Sequence, residues 1–288
     1  MTLNIQSRPL IDIGLNLASS QFNDDTEEVL TRARSAHIIA CILTGTDEQT
    51  SKHVLDLCRQ YSPTFPAMLY CTVGVHPHDA KHWNSDTLAV LQQLLDQTPA
   101  VAVGETGLDF NRDYSPRPAQ ERVFEAQLEL AAGTGKPLFM HERDAHQRQL
   151  EILHAYRNQL DRGVIHCFTG DRKSLFNYLD LDLYIGITGW ICDERRGLDL
   201  QNLVKNIPLN RLMLESDAPY LLPRTVRPKP SSRRNEPAYL SWVLDSVAEH
   251  RRESAEEIAM ATSQTAAEFF GLDITMIKHA AAIPGSSR

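Results

Sequence analysis

Short apolar runs rich in β-branched residues recur along the chain, separated by polar stretches with helical patterning. The runs are LIDIGL (10–15), IIACILTG (38–45), LYCTVGVH (69–76) and AVAVGETG (100–107). Four more follow: KPLFMH (136–141), GVIHCF (163–168), LYIGITG (183–189) and RLMLES (211–216). Each has the length and composition of a strand, and they recur at roughly 30-residue intervals, the span of one strand–helix unit. Between them, NDDTEEVLTRARSA (23–36) carries acids in its first turn and bases near its end, as the helix dipole favours. DEQTSKHVLDLCRQY (47–61) and SDTLAVLQQLLDQ (85–97) repeat apolar residues at i, i+3, i+4 spacing. PAQERVFEAQLELAAGTG (118–135) opens on Pro and closes on Gly, HQRQLEILHAYRNQL (146–160) follows the fifth strand, and helices are expected at 238–250 and 254–270.

Eight such units in about 270 residues predict a closed (β/α)8 TIM barrel. An open doubly wound sheet would want G-x-G-x-x-G after its first strand, and none is there. The barrel is expected to occupy residues 1–271 as one domain. Small residues and a Pro-Gly after Gly271 predict a frayed tail over 272–288.

Composition adds limits. With 288 residues, 42% hydrophobic and 23% charged, the chain can bury a large core without disulfides. Its five cysteines are scattered, without C-x-x-C, and four lie in apolar runs, as reduced buried thiols do. MTLNIQSRP has no apolar signal segment and no run reaches membrane-spanning length, so a cytoplasmic protein is expected. A net charge of −8 argues against sequence-independent binding to a broad face of duplex DNA. A local basic channel stays open: PRTVRPKPSSRRNEP (223–237) holds Arg224, Arg227, Lys229, Arg233 and Arg234 in a proline-rich loop.

In a barrel of this kind the C-terminal strand ends share one rim, where active sites form. Read in order, those ends give Asp12 and Asn16, Thr44, His76 and His78, Glu105 and Asp109, His141 and Arg143, His166, Thr188 and Asp217. A protein merely filling its core would place Val or Leu there. His, Glu and Asp converging on one rim is how a catalytic metal site is assembled from distant sequence. His76 and His78 share a strand face. His141 and His166 stand at matching strand ends. Glu105 sits in GETGLD, where small glycines let the backbone approach a ligand, and a buried carboxylate needs a cation. Glu215 lies on the same face as Asp217 if the last strand runs that far. His37, His53, His82, His154, His250 and His279 read as surface residues.

The motifs GVHPHD (74–79), GETGLDF (104–110), MHERDA (140–145), HCFTG (166–170), ESDAPYL (215–221) and SSRRNEPAYL (231–240) resemble, in this order and spacing, the TatD family of metal-dependent deoxyribonucleases. The likeness runs from about residue 10 to residue 271 and implies the barrel independently of the periodicity. It implies 3′–5′ exonuclease action on single-stranded DNA and RNA ends. It also implies a divalent metal, magnesium first, with manganese or zinc suited to the imidazoles. Carried over, Glu105, His141 and His166 hold one metal. Asp217 is a fourth ligand or the base that orients the attacking water. His76 and His78 bind the scissile phosphate or protonate the leaving oxygen. Asn16, Arg143, Arg233 and Arg234 are expected at the substrate, with Phe110, Trp190 or Tyr220 stacking on bases. Most relatives carry H-x-H at the end of strand 1, where this chain has Gly14 and Asn16, so a second metal loses two ligands. Glu142 and Thr106 are further departures beside motif residues. A monomer without an obligate protein partner is expected. The rival functions are a small-molecule amide or ester hydrolase, which would want that H-x-H or a lysine in place of Glu105, and a binding barrel without activity.

Overall fold

The computed structural model describes residues 8–282. Eight parallel strands pair each with the next: β1 (Leu10–Leu15), β2 (Ile38–Leu43), β3 (Leu69–Val73), β4 (Ala100–Asp109), β5 (Leu138–Arg143), β6 (Gly163–Ile165), β7 (Tyr184–Ile187) and β8 (Leu212–Leu214). The ring closes beyond β8, where Leu15 bridges Ala218. There the Asp217 N–H donates to Gly14 O at 2.9 Å and the Asn16 N–H to Ala218 O at 2.8 Å. The structure is the TIM barrel that the strand spacing predicts.

Because alternate strand residues face opposite ways, the apolar runs serve two layers. Ile13, Ala40, Ile42, Ala102, Phe139 and Met213 fill the barrel, while Leu10, Leu43, Cys71 and Val103 meet the surrounding helices. Each Leu, Ile, Val, Phe or Met among them, fully buried, contributes roughly 2 kcal/mol of hydrophobic stabilisation. The helices α1 (Thr26–Ser35), α2 (Glu48–Tyr61), α3 (Thr87–Leu95), α4 (Arg117–Thr134) and α5 (His146–Tyr156) fall where patterning puts them. Between β6 and β8 lie two the patterning did not give, α6 (Arg172–Asp180) and α7 (Leu198–Leu203). The first is nine residues long and is launched by Asp171, whose carboxylate accepts the Ser174 N–H; the second, of six residues, is too short to display a period. Then come α8 (Leu240–Glu249) and α9 (Ala255–Phe270), the latter opened by a Ser254–Glu257 capping box and closed by Gly271 at φ 67°.

Two expectations are corrected. Most strands stop two or three residues short of the apolar runs, because the chain leaves the ladder at the rim to present its polar groups. The tail after Gly271 is not frayed over its described part: α10 (Ile274–Ala282) packs Ile277 against Phe270 in the barrel cluster. The sidedness of that one short helix is carried by few residues, and the small alanines around it mask the signal. Residues 1–7 and 283–288, the latter in the expected tail, lie outside the described residues. The end of α9 and α10 cover the N-terminal mouth of the barrel: Ser263 Oγ donates to Pro9 O before β1 and Thr265 Oγ1 to Leu209 O before β8. Among the described residues no helix is long and apolar enough to cross a membrane.

Candidate metal centre

At the opposite, C-terminal mouth a cleft of about 490 Å³ opens between the strand ends. Asn16, His76, His78, Glu105, His141, Arg143, His166 and Asp217 all line it. Residues from six strand ends, far apart in sequence, are thus brought together.

Glu105 is the hub. Its Oε1 lies 2.7 Å from His166 Nε2, 3.1 Å from His141 Nδ1 and 3.3 Å from His76 Nε2. The ligand atoms of His76, Glu105 and His141 all fall within 4.8 Å of one another, a group able to hold a metal ion. Sequence reasoning put His166 in the ligand set and His76 outside it; the structure puts both against the same carboxylate oxygen. Burial would favour the neutral acid, but the imidazoles of His166 and His76 hold Glu105 well below the usual carboxylate range. His141 turns its other nitrogen to Asp109 Oδ2 at 3.3 Å, and His78 Nε2 meets the same oxygen at 2.7 Å. Burial opposes a charged imidazole at His141, and the Asp109 and Glu105 carboxylates outweigh it and raise its pKa. Buried His76 is pushed down, desolvation outweighing Glu105.

The β8–β1 side differs. Asp217, at φ 52°, accepts a hydrogen bond from Asn16 Nδ2 at 2.9 Å. Burial raises its pKa to about 7. Asp12 does not reach the cleft. It accepts Ser216 N–H at 2.8 Å and Ser216 Oγ–H at 2.6 Å, fastening the end of β8 to β1, and burial lifts it to about 7 too. Glu215, fully buried, sits between His166 and Gly14.

The glycines flanking Glu105 act otherwise than expected. A Cβ at Gly107 (φ 130°) would stand 2.0 Å from His141 O, and one at Gly104 (φ 148°) 2.3 Å from Phe139 O. They bring β4 close to β5 rather than to a ligand.

The basic loop is not part of the cleft. Arg234 is bound to Asp25 and Glu236 and lies over the Phe22 ring, contacts that hold it outside the cleft lining. Arg233 is exposed and also stands outside the lining, and Arg224 pairs with Glu194 at 3.0 Å. Arg143 is brought in: it donates to Thr169 Oγ1 at 3.2 Å and has no carboxylate partner among the described residues. Trp190 stands between the Arg143 and Arg196 guanidinium groups, Tyr220 lines the cleft 55% exposed, and Phe110 packs under Arg117 away from it.

Three buried glutamines escaped the reading of the sequence. Gln127 on α4 clamps Val75 through both N–H and C=O and donates to Thr106 Oγ1 at 2.7 Å. Gln120, also on α4, holds the backbone of Asp109, and Gln149 on α5 accepts the Leu108 N–H. They satisfy backbone groups left free where β3 ends and β4 runs on beyond its pairing with β3. The available signal was an amide on the inward face of an amphipathic helix.

A family model described as TatD related DNase matches residues 11–271. Proteins named 3′–5′ ssDNA/RNA exonuclease TatD from Pectobacterium parmentieri and Edwardsiella piscicida are 47% and 48% identical over 263 residues. Those spans cover 91% of this chain and 100% of theirs. Among solved structures, the TatD homologue YJJV of Escherichia coli K12 superposes with a TM-score of 0.81 at 29% identity, covering 92% of this chain and 98% of that one. A TatD-family hydrolase of Entamoeba histolytica shares the fold, with a TM-score of 0.83 at 23% identity and the same coverage. On this match across nearly all of its barrel, the chain belongs to the TatD-related DNase family.

Proposed function

We propose that the chain is a metal-dependent 3′–5′ exonuclease that hydrolyses phosphodiester bonds at the ends of single-stranded DNA and RNA. The observation that carries this is Glu105 Oε1, met by three imidazole nitrogens within 3.3 Å in the cleft of a chain 47% identical to a relative bearing that name. A cleft at a barrel mouth suits a strand end better than a duplex.

The residues fit a divalent cation: a buried carboxylate oxygen and three imidazole nitrogens converge at one point of the cleft. Glu105, His141 and His166 hold it, with His76 on the same oxygen. Magnesium is put first on the family resemblance, and manganese and zinc match the nitrogen ligands. Bound there, such an ion lowers the pKa of a water and offsets charge on the phosphate oxygens.

The chain's own groups do the rest. Asp217, fixed by Asn16, accepts the proton of the attacking water. His76 binds the scissile phosphate. His78, steadied by Asp109, protonates the leaving 3′ oxygen. Arg143, without a carboxylate partner among the described residues, takes the next phosphate, and Tyr220 offers a face to the terminal base.

The test is time-resolved digestion of a 5′-labelled single-stranded oligonucleotide, beside its duplex, in magnesium, manganese and zinc. A ladder shortening by single nucleotides, abolished by EDTA and by Glu105→Ala, is the expected result. An oligonucleotide left intact under every metal overturns the reading.

A further inference from the structure

Behind His166, on the side away from Glu105, lies a carboxylate that the reaction above does not use. Glu215 follows β8 and is wholly buried. Its Oε1 accepts the backbone N–H of Cys167. Its Oε2 faces His166 Nδ1 at 3.5 Å, and neither atom has a hydrogen-bond partner among the described residues. Leaving both unsatisfied in the interior is costly, and His166 Nδ1 is a group on this wall able to donate to that oxygen.

The fold makes room for this carboxylate on two sides. A Cβ at Gly14 would stand 2.7 Å from Oε2, and one at Gly186 would stand 3.1 Å from Oε1. Two neighbouring strands, β1 and β7, thus go without a side chain where Glu215 lies. Core filling alone would put an apolar residue at 215 and spare both glycines.

We propose that Glu215 is a positioning residue of the metal centre: it accepts the Nδ1 proton of His166, so that Nε2 turns its lone pair to the cation beside Glu105. Gly14 is glycine so that this carboxylate can stay in place. The inference rests on His166 being a ligand, as in the proposed function. A neutral imidazole donates at one nitrogen and accepts or ligates at the other, so whatever stands at Nδ1 decides what Nε2 can do. Metal-bound histidines almost always donate their other ring N–H to such an acceptor, a carboxylate among them.

Glu215→Gln separates the role from simple packing. The Cys167 N–H takes the amide oxygen, which leaves the amide NH2 facing Nδ1–H, donor against donor. Gly14→Ala reaches the same carboxylate from the other side without touching a ligand. The experiment titrates the full-length, metal-stripped protein with Mn2+ by calorimetry, for the parent, both variants and the double variant. Alongside it, 15N NMR of the Zn2+-loaded parent reads the histidine rings.

The expected result is a Kd weakened by about 10–100-fold in each single variant, the usual cost of losing such a partner. The double variant should be no weaker than Glu215→Gln, because both act through one group. His166 should carry its proton on Nδ1. Unchanged Mn2+ affinity in folded single variants, or a His166 bound to metal through Nδ1, overturns the proposal. If Glu215→Gln does not fold, Gly14→Ala and the parent's ring spectrum decide it. A parent that binds metal in this way yet cleaves no oligonucleotide refutes the exonuclease and leaves Glu215 in its role.

Discussion

The two halves of the rim hold their carboxylates in opposite circumstances. On the β3–β5 half, Glu105 and Asp109 each meet imidazoles, and both are held below the usual carboxylate range against the pull of burial. On the β8–β1 half, Asp12 is fully buried and Asp217 stands partly exposed in the cleft; they meet mainly neutral donors, Ser216 and Asn16, and both rise to about 7. The first half is electrostatically complete within the protein. The second meets less positive charge, and a cation seated beside Glu105 would supply it to Asp217 but not to Asp12, which lies outside the cleft.

This contrast can be broken or sharpened in order of effect. Glu105→Ala removes the hub of the complete half. Its Mn2+ affinity should fall by more than the ~100-fold that losing a ligand's partner costs, and calorimetry reads it. Asp217→Asn removes the proposed proton acceptor, on the other half, while keeping its shape. Single-turnover cleavage should slow by about 10²–10⁴-fold, the range for a lost general base, with metal affinity much less changed. Equal losses of binding and rate would make Asp217 a ligand instead.

Asp109→Asn tests the support behind His141 and His78. Metal affinity should drop by about 10–100-fold, and the leaving-oxygen step should weaken with it.

The smallest effect on activity belongs to Asp12→Asn, read as stability against pH by urea unfolding. The folded carboxyl, at about 7, lies above its ordinary 3.8. The folded state therefore binds the proton more tightly, and that stabilisation is fully present below 3.8 and is lost as pH rises through about 7. Between pH 5 and pH 8 the parent should lose more stability than Asp12→Asn. Parallel curves would place a fixed charge at Asp12.

Much of the frame is legible in the sequence because strand burial is a local pattern. β1 matches its run at both ends, and every other strand lies within two or three residues of its own. The cleft residues were readable for the same reason: Glu105, His141 and His166 interrupt apolar runs where a core would tolerate no charge. What resisted reading depends on the third dimension. Gly14 looks like a missing ligand in sequence, and only the carboxylate of Glu215 against it reveals a steric requirement. Arg233 and Arg234 look like a phosphate track, and only the fold brings Asp25 and Glu236 to Arg234. Gln120, Gln127 and Gln149 gain their meaning from backbone groups on other elements. α10 is legible once Phe270 is known to lie beside Ile277.

That last helix bears on how digestion proceeds. With Ile13, Ile42, Phe139 and Met213 filling its interior and the end of α9 and α10 across the N-terminal mouth, the barrel is a blind socket, not a tunnel. A strand cannot thread through it, and a released mononucleotide leaves by the opening the strand came in through. Digestion should therefore be distributive: the shortened strand backs out after each cut, and a large excess of unlabelled competitor added after the first turnover should halt the shortening of labelled chains. A blocked exit turns an exonuclease into an enzyme that samples ends one at a time.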